Sequence, residues 1–282
     1  MSNGIVLEGG GMRGIFTCGI LDVLMERGIR FDALAGVSAG VLFGCNYKSL
    51  QPGRGLRYNL QFKDDKRYMS WQSLWETGNY VNADFAYYVI PTYLDPFDRE
   101  AFSDNPMKFY VVCTDIVTGE PVYKPIDEAS DDMMDWFRAS ASMPIFAKPV
   151  ELEGHVLLDG GISDSIPLQF IQNEGYKRNL VVLTQPKGYR KKPSHIIPLI
   201  KLFTRKYPKV AELMRTRHDR YNDQVDYVEQ QAKTGDTLVL YPEHPLNIGR
   251  IEQNEEKMIA IYNHGRDVAL KHLPELKKFL EK

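Results

Sequence analysis

The chain has 282 residues, 43% hydrophobic and 26% charged, with 35 Lys and Arg against 37 Asp and Glu for a net charge of −2. This excludes a disordered chain, a collagen and a coiled-coil rod, and no overall basic excess points to nucleic acid. Three cysteines (Cys18, Cys45, Cys113) form neither a disulfide framework nor a CxxC motif, and six histidines show no metal-ligand spacing, so neither a metal nor another cofactor is expected. The start, MSNGIVLEGGG, lacks the basic and apolar regions of a secretory signal, and no run approaches the roughly 18 apolar residues of a membrane-spanning helix. A cytoplasmic protein is the expectation.

Ile5-Val6-Leu7 predicts a buried strand that enters a turn at Gly9-Gly10-Gly11. Phe16, Ile20, Val23 and Leu24 then recur at helical spacing up to Arg27, with Gly28 as a C-cap. Residues 31–37 predict a second strand ending in Gly36-Val37-Ser38-Ala39-Gly40, and a helix opens at Ala39. The order of strand, glycine loop, helix, strand, tight turn and helix predicts an α/β fold whose mainly parallel sheet is sandwiched between helices. Residues 54–98 hold eleven aromatic residues and few β-branched runs, which predicts a helical insertion, bounded at 54–104. Phe109 to Cys113 is the next strand, and the turn Thr118-Gly119-Glu120-Pro121 returns it as a hairpin through Val122-Tyr123-Lys124. A helix over 131–142 is stopped by Pro144. Val156-Leu157-Leu158 is a strand ending at Asp159-Gly160-Gly161, and 180–184 and 237–241 predict two more. Residues 243–282 form a helical C-terminal segment whose tail, from Glu252, reads as two helices interrupted at Gly265 and Pro274. With no repeat, low-complexity stretch or linker, 1–282 reads as a single domain.

Gly36-Val37-Ser38-Ala39-Gly40 fits GxSxG, the nucleophile elbow, a sharp strand-to-helix turn that projects the serine from the sheet edge. Gly9-Gly10-Gly11-Met12-Arg13-Gly14 has two readings. Its GxGxxG spacing fits a dinucleotide loop, but Asp32 starts the second strand and no carboxylate ends it to hold a ribose. The better reading is an oxyanion hole, in which residues without side chains leave backbone N–H groups open to a substrate oxygen. Asp159-Gly160-Gly161 alone is a turn, but beside a serine nucleophile Asp159 is a candidate general base. Histidines that follow Asp159 keep a Ser-His-Asp esterase as an alternative, and a nucleotide-binding or non-catalytic regulatory protein is another.

GGGMRG at 9–14, GVSAG at 36–40 and DGG at 159–161 together resemble the patatin-like phospholipases, lipid acyl hydrolases, as does the small-residue run Ala139-Ser140-Ala141-Ser142-Met143-Pro144. Thr114-Asp115 with its following turn is similar to bacterial members. The likeness spans about residues 4–170. It implies Ser38 as nucleophile, Asp159 as base and the backbone amides of Gly9 to Gly14 as the oxyanion hole, with a lipid or other acyl ester as substrate and no cofactor.

Arg13 reads either as an anion contact or as a salt-bridged helix residue. Asp115 reads as a turn cap before a site residue, and Cys18 and Cys45 as packing residues. The aromatic insertion is a lid or pocket wall, or a small layer with its own core; both hold if a packed cap lines a cleft. Residues 187–220 carry eleven basic groups against Glu212 and Asp219, with apolar Ile196, Ile197, Leu199, Ile200, Leu202 and Phe203 among them. A solvated helix face is the first expectation there, and peripheral contact with an anionic membrane the second.

Overall fold

A computed structural model describes residues 2–281. Its sheet has eight strands: β1 (Asn3–Leu7), β2 (Ala33–Val37), β3 (Lys108–Asp115), β4 (Pro121–Pro125), β5 (Val150–Leu152), β6 (His155–Asp159), β7 (Arg178–Val182) and β8 (Thr237–Leu240). The pairings β3–β2, β2–β1, β1–β7 and β7–β8 are all parallel. The antiparallel pairings β3–β4, β3–β6 and β5–β6 are gathered at the β3 side. The helices are α1 (Ile15–Glu26), α2 (Ala39–Lys48), α3 (Arg54–Gln61), α4 (Trp71–Thr77), α5 (Arg99–Asp104), α6 (Met133–Ser140), α7 (Leu168–Asn173), α8 (Ile197–Phe203), α9 (Pro208–Thr234) and α10 (Glu255–Glu281).

Strand periodicity builds the sandwich. Along β1, Ile5 and Leu7 join one core and Val6 the other; along β7, Leu180 and Val182 join the first and Val181 the second. Both faces are buried, which is why these strands are near-continuous apolar runs and not alternating ones. The first core holds α1, α2, α10 and the aromatic insertion, while the second holds α7 and α9. Inside the insertion, Phe62 and Phe85 meet edge to face at 5.6 Å, and buried Asp95 takes both Nε and Nη2 of Arg57 at 2.8 Å. It is therefore a packed layer. Residues Phe85–Leu94 coil as a π-helix through Pro91.

The tail departs from expectation. Instead of two helices broken at Gly265 and Pro274, α10 is one helix of 27 residues. Gly265 is a packing surface: a Cβ there would lie 2.0 Å from the Phe16 carbonyl oxygen, and one on Gly19 would lie 2.1 Å from that of Tyr262. The two glycines let α1 and α10 cross backbone to backbone. Pro274 removes one N–H from the helix at an exposed stretch, where water can take the carbonyl it frees.

The three-residue strand β5 is absent from the sequence reading, but the hairpin it forms with β6 positions the site. Strand β3 has two flanks. Strand β4 covers one, over Tyr110–Thr114. On the other, β2 runs from Lys108 to Val112 and β6 takes over at Cys113 in the opposite direction. The C-terminal ends of β2 and β6 thus meet head to head, Val37 opposite Val112 and Asp159 opposite Cys113. No helix among the described residues is long and apolar enough to cross a membrane.

Candidate active site

Ser38 follows β2 and caps α2 with φ 55° and ψ −122°, a left-handed conformation that a non-glycine residue holds only under constraint. The constraint is visible. Ser38 N–H donates to Ser140 Oγ at 2.9 Å, and Ser140 Oγ donates to the Val112 carbonyl at 2.6 Å. Gly40 presses on β1, where a Cβ would meet the Leu7 carbonyl oxygen at 2.4 Å.

Asp159 ends β6 and is 7% exposed. Its Oδ1 accepts Gly161 N–H at 2.8 Å, its backbone N–H donates to the Ser142 carbonyl at 2.9 Å, and its carbonyl accepts Thr114 Oγ1 at 2.9 Å. The run 139–144 therefore braces both strand ends, through Ser140 on one and Ser142 on the other. Burial raises the Asp159 pKa; the nearby Ser38 hydroxyl, the Gly161 hydrogen bond and the charges of Arg217 and Arg250 pull it partly back.

The glycine loop lies flush against the serine, since a Cβ on Gly9 would meet Ser38 Cβ at 2.8 Å. The Met12 N–H donates to the Arg250 carbonyl at 3.1 Å and the Arg13 N–H to that of Gly10 at 3.4 Å. Among the described residues, no acceptor takes the N–H groups of Gly9, Gly10 or Gly11. The expected set of six amides thus divides, with three unengaged on residues that share a cavity wall with Ser38.

Ser38 stands where two cavities meet. One is lined by Gly9, Gly10, Gly11, Val37, Asp159 and Gly161 with the charged residues Glu8, Arg13, Lys191, Arg217 and Arg250. The other is lined by Met12, Ala39, Leu42 and Phe43 with Tyr58, Tyr68, Tyr80 and Tyr87 of the insertion. Gly14, Gly36, Gly40 and Gly160 line neither and serve the turns; a Cβ on Gly160 would fall 2.2 Å from the Val112 carbonyl oxygen. No histidine lines either cavity, which removes the support for a Ser-His-Asp arrangement. Asp32 accepts the Asn3 N–H at 2.6 Å at the far end of the sheet, out of reach of the glycine loop, and the dinucleotide reading loses its carboxylate. Asp115 caps its turn by accepting Val117 N–H at 2.8 Å and also binds His155 at 2.7 Å. Burial pushes the Cys45 thiol up to about 12, and Cys18 is buried as well; both are packing residues. No cluster of three metal-ligating side chains occurs among the described residues.

Residues 187–220 differ from a simple solvated face. Lys191 and Arg217 turn into the charged cavity, and Arg220 donates to the carbonyls of Ile162 and Leu213. Glu8, Lys191, Arg217 and Arg250 escape the sequence motifs. The one signal for Glu8 is a lone acid between an apolar strand and a glycine turn; the cations carry none.

Residues 5–170 match the family described as patatin-like phospholipase, and residues 207–281 match a domain of unknown function, DUF6363. The uncharacterized protein YjjU of Escherichia coli (strain K12) is 28% identical over 255 residues, covering 86% of this chain and 69% of that protein. Lysophospholipase nte1 of Aspergillus oryzae is 28% identical over 179 residues, 62% of this chain but 11% of that much longer protein. The crystal structure of VipD from Legionella pneumophila shares the fold, with a TM-score of 0.51 at 13% identity over 97% of this chain and 67% of that one.

Proposed function

Because the chain belongs to the patatin-like phospholipase family, we propose that it cleaves carboxylic esters of lipids through a Ser38–Asp159 dyad and an acyl-enzyme. One observation carries this reading. A strained elbow serine and a buried strand-end carboxylate meet on one flank of β3, beside three glycine amides with no internal acceptor.

In the proposed cycle Asp159 takes the Ser38 Oγ proton as Oγ attacks the ester carbonyl carbon. The Gly9, Gly10 and Gly11 amides receive the oxyanion, and the proton passes to the leaving alcohol oxygen. Water then attacks the acyl carbon, Asp159 accepts its proton, and that proton returns to Ser38 Oγ as the fatty acid leaves. Burial favours this role, because a carboxylate lifted above its ordinary range is a stronger base near neutral pH. Met12 and Arg13 amides, engaged within the chain, are given no part. The tyrosine-lined cavity takes the acyl chain. The lysophospholipase name of the fungal relative supports a lipid ester.

The membrane contact belongs to α8. Ile196, Leu199, Leu202 and Phe203 are exposed there beside exposed Lys201, Arg205 and Lys206, and Ile196 and Ile200 line the cleft. An apolar face ringed by cations suits an anionic lipid surface at the cleft mouth.

Hydrolysis of p-nitrophenyl butyrate tests the dyad. Ser38→Ala and Asp159→Asn are each expected to lower kcat/KM by roughly 10³-fold or more with the circular dichroism spectrum retained. A fluorophosphonate probe is expected to label Ser38. Undiminished activity in either folded variant refutes the dyad.

A further inference from the structure

The two cavities that meet at Ser38 differ in electrostatic character. The tyrosine-lined one holds no carboxylate and is mostly apolar and aromatic, with Arg138 on its wall and Arg250 at its junction with the other. The other gathers Arg13, Lys191, Arg217 and Arg250 against two acids, Glu8 and Asp159. Both acids are already engaged. Glu8 accepts Thr184 N–H at 2.6 Å, Thr184 Oγ1 at 3.1 Å and the Tyr221 hydroxyl at 2.8 Å; Asp159 accepts Gly161 N–H and faces Ser38.

The cations are left short of partners. Arg13 Nε is buried with no hydrogen-bond acceptor. Lys191 Nζ stands 3.8 Å from the centre of the Tyr221 ring. Arg217 gives Nε to the Gly161 carbonyl, and its Nη2 lies 3.4 Å from Ser165 Oγ. Burial and then the charge of Arg217, with those of Arg250 and Arg13, push the Lys191 ammonium down to about 6, against the opposing pull of Glu8. Without an anion, three guanidinium charges share this half-enclosed space with a lysine that gives up its proton readily, and a bound anion would hold all four groups charged. Guanidinium forks and an ammonium match the oxygens of a phosphate.

We infer that Arg13, Lys191, Arg217 and Arg250 form an anion subsite that takes the phosphate of the acyl-ester substrate and selects anionic over zwitterionic headgroups. The assignment to an ester rests on the function proposed for Ser38. With the acyl chain among the tyrosines and the ester carbon at Ser38, the phosphate falls among Arg13, Lys191 and Arg217 on the opposite side, with Arg250 at the junction of the two cavities. A headgroup ammonium would find only these cations and two engaged carboxylates. Three of the four cations lie outside residues 5–170, and Arg217 and Arg250 lie within the domain of unknown function at 207–281. That region thereby acquires a role in headgroup recognition.

Two measurements separate this inference from the hydrolase reading. Calorimetry on the Ser38→Ala protein is expected to detect binding of glycerol 3-phosphate and not of glycerol. Lys191→Gln and Arg250→Gln are each expected to weaken it about tenfold, while Lys191→Arg and Arg250→Lys restore most of it. Thermal melts check that each variant is folded. On the wild type, kcat/KM for lysophosphatidic acid is expected to exceed that for lysophosphatidylcholine of the same acyl chain by about tenfold, and the ratio to collapse in both Gln variants. Hydrolysis without that preference, or glycerol 3-phosphate binding unchanged in the Gln variants, overturns the subsite and leaves the hydrolase. Inorganic phosphate binding as tightly as glycerol 3-phosphate, with no ester preference, overturns the headgroup assignment in favour of a free phosphate. Loss of glycerol 3-phosphate binding in the Gln variants, with no ester cleaved by the wild type, supports the anion site and refutes the hydrolase.

Discussion

Asp159 is held between opposing influences, and both can be read out. Burial raises its pKa, while the nearby Ser38 hydroxyl, the Gly161 hydrogen bond and the charges of Arg217 and Arg250 restrain the rise. The proposed general base must be ionised, so kcat/KM for a neutral ester is expected to fall as pH drops through a pKa above the ordinary aspartate value of ~3.9. Arg217→Gln removes one stabilising charge and should move this acid limb to higher pH; an unmoved limb would show that the limb does not report Asp159. The same burial has a consequence for stability. Asp159 holds its proton more tightly folded than unfolded, so protonation favours the folded state. Stability is therefore lost as pH rises from the ordinary aspartate range through the raised folded value, and the full cost is present above it. Asp159→Asn keeps the shape without the charge and is expected to be inactive yet to melt higher than wild type at pH 8. A lower melting temperature there would mean that the Gly161 hydrogen bond outweighs desolvation.

At the scale of elements, local patterns were legible where neighbours in sequence are neighbours in space. The apolar runs at 5–7, 33–37, 109–113 and 180–182 are strands because both faces of the sheet are covered. Gly265 of α10 was misread because a glycine can break a helix or admit another backbone, and only the partner decides. Here the partner is α1, itself opened at Gly19. Gly265→Ala sets two effects against each other. Helix propensity favours Ala by ~1 kcal/mol, but the new methyl would press on the Phe16 carbonyl, which cannot swing aside as a side chain can. The clash wins, and a net loss of about 1–2 kcal/mol is expected, read as a lower urea midpoint at unchanged m-value. A gain in midpoint would mean that the helices separate without cost. The head-to-head meeting of β2 and β6 was not legible, since no periodicity tells which flank of β3 a later hairpin will choose.

Across the whole molecule, the net charge of −2 conceals a partition that sequence alone left undivided. The basic stretch 187–220 read as one surface, yet Lys191 and Arg217 turn into the cleft while Lys201, Arg205 and Lys206 stay exposed around α8. Folding sorts them because α9 lies across the mouth of the sheet and aims Arg217 at Gly161, whereas α8 has one buried anchor, Ile200, and leaves its other face uncovered. Phe203 is 65% exposed and Leu202 50%, a cost in water that insertion into lipid would recover. Burying two such side chains is worth ~3 kcal/mol or more, and each cation near an anionic leaflet adds about 1 kcal/mol. Sedimentation with phosphatidylglycerol vesicles is therefore expected to drop at least ~tenfold in Leu202→Asp/Phe203→Asp, and to weaken with added salt in the wild type. Turnover of vesicle-borne ester should fall with it, while a short water-soluble ester is still cleaved, because neither residue lines the cleft. Equal sedimentation of wild type and variant would remove α8 from the lipid surface, leaving its apolar face for a protein partner.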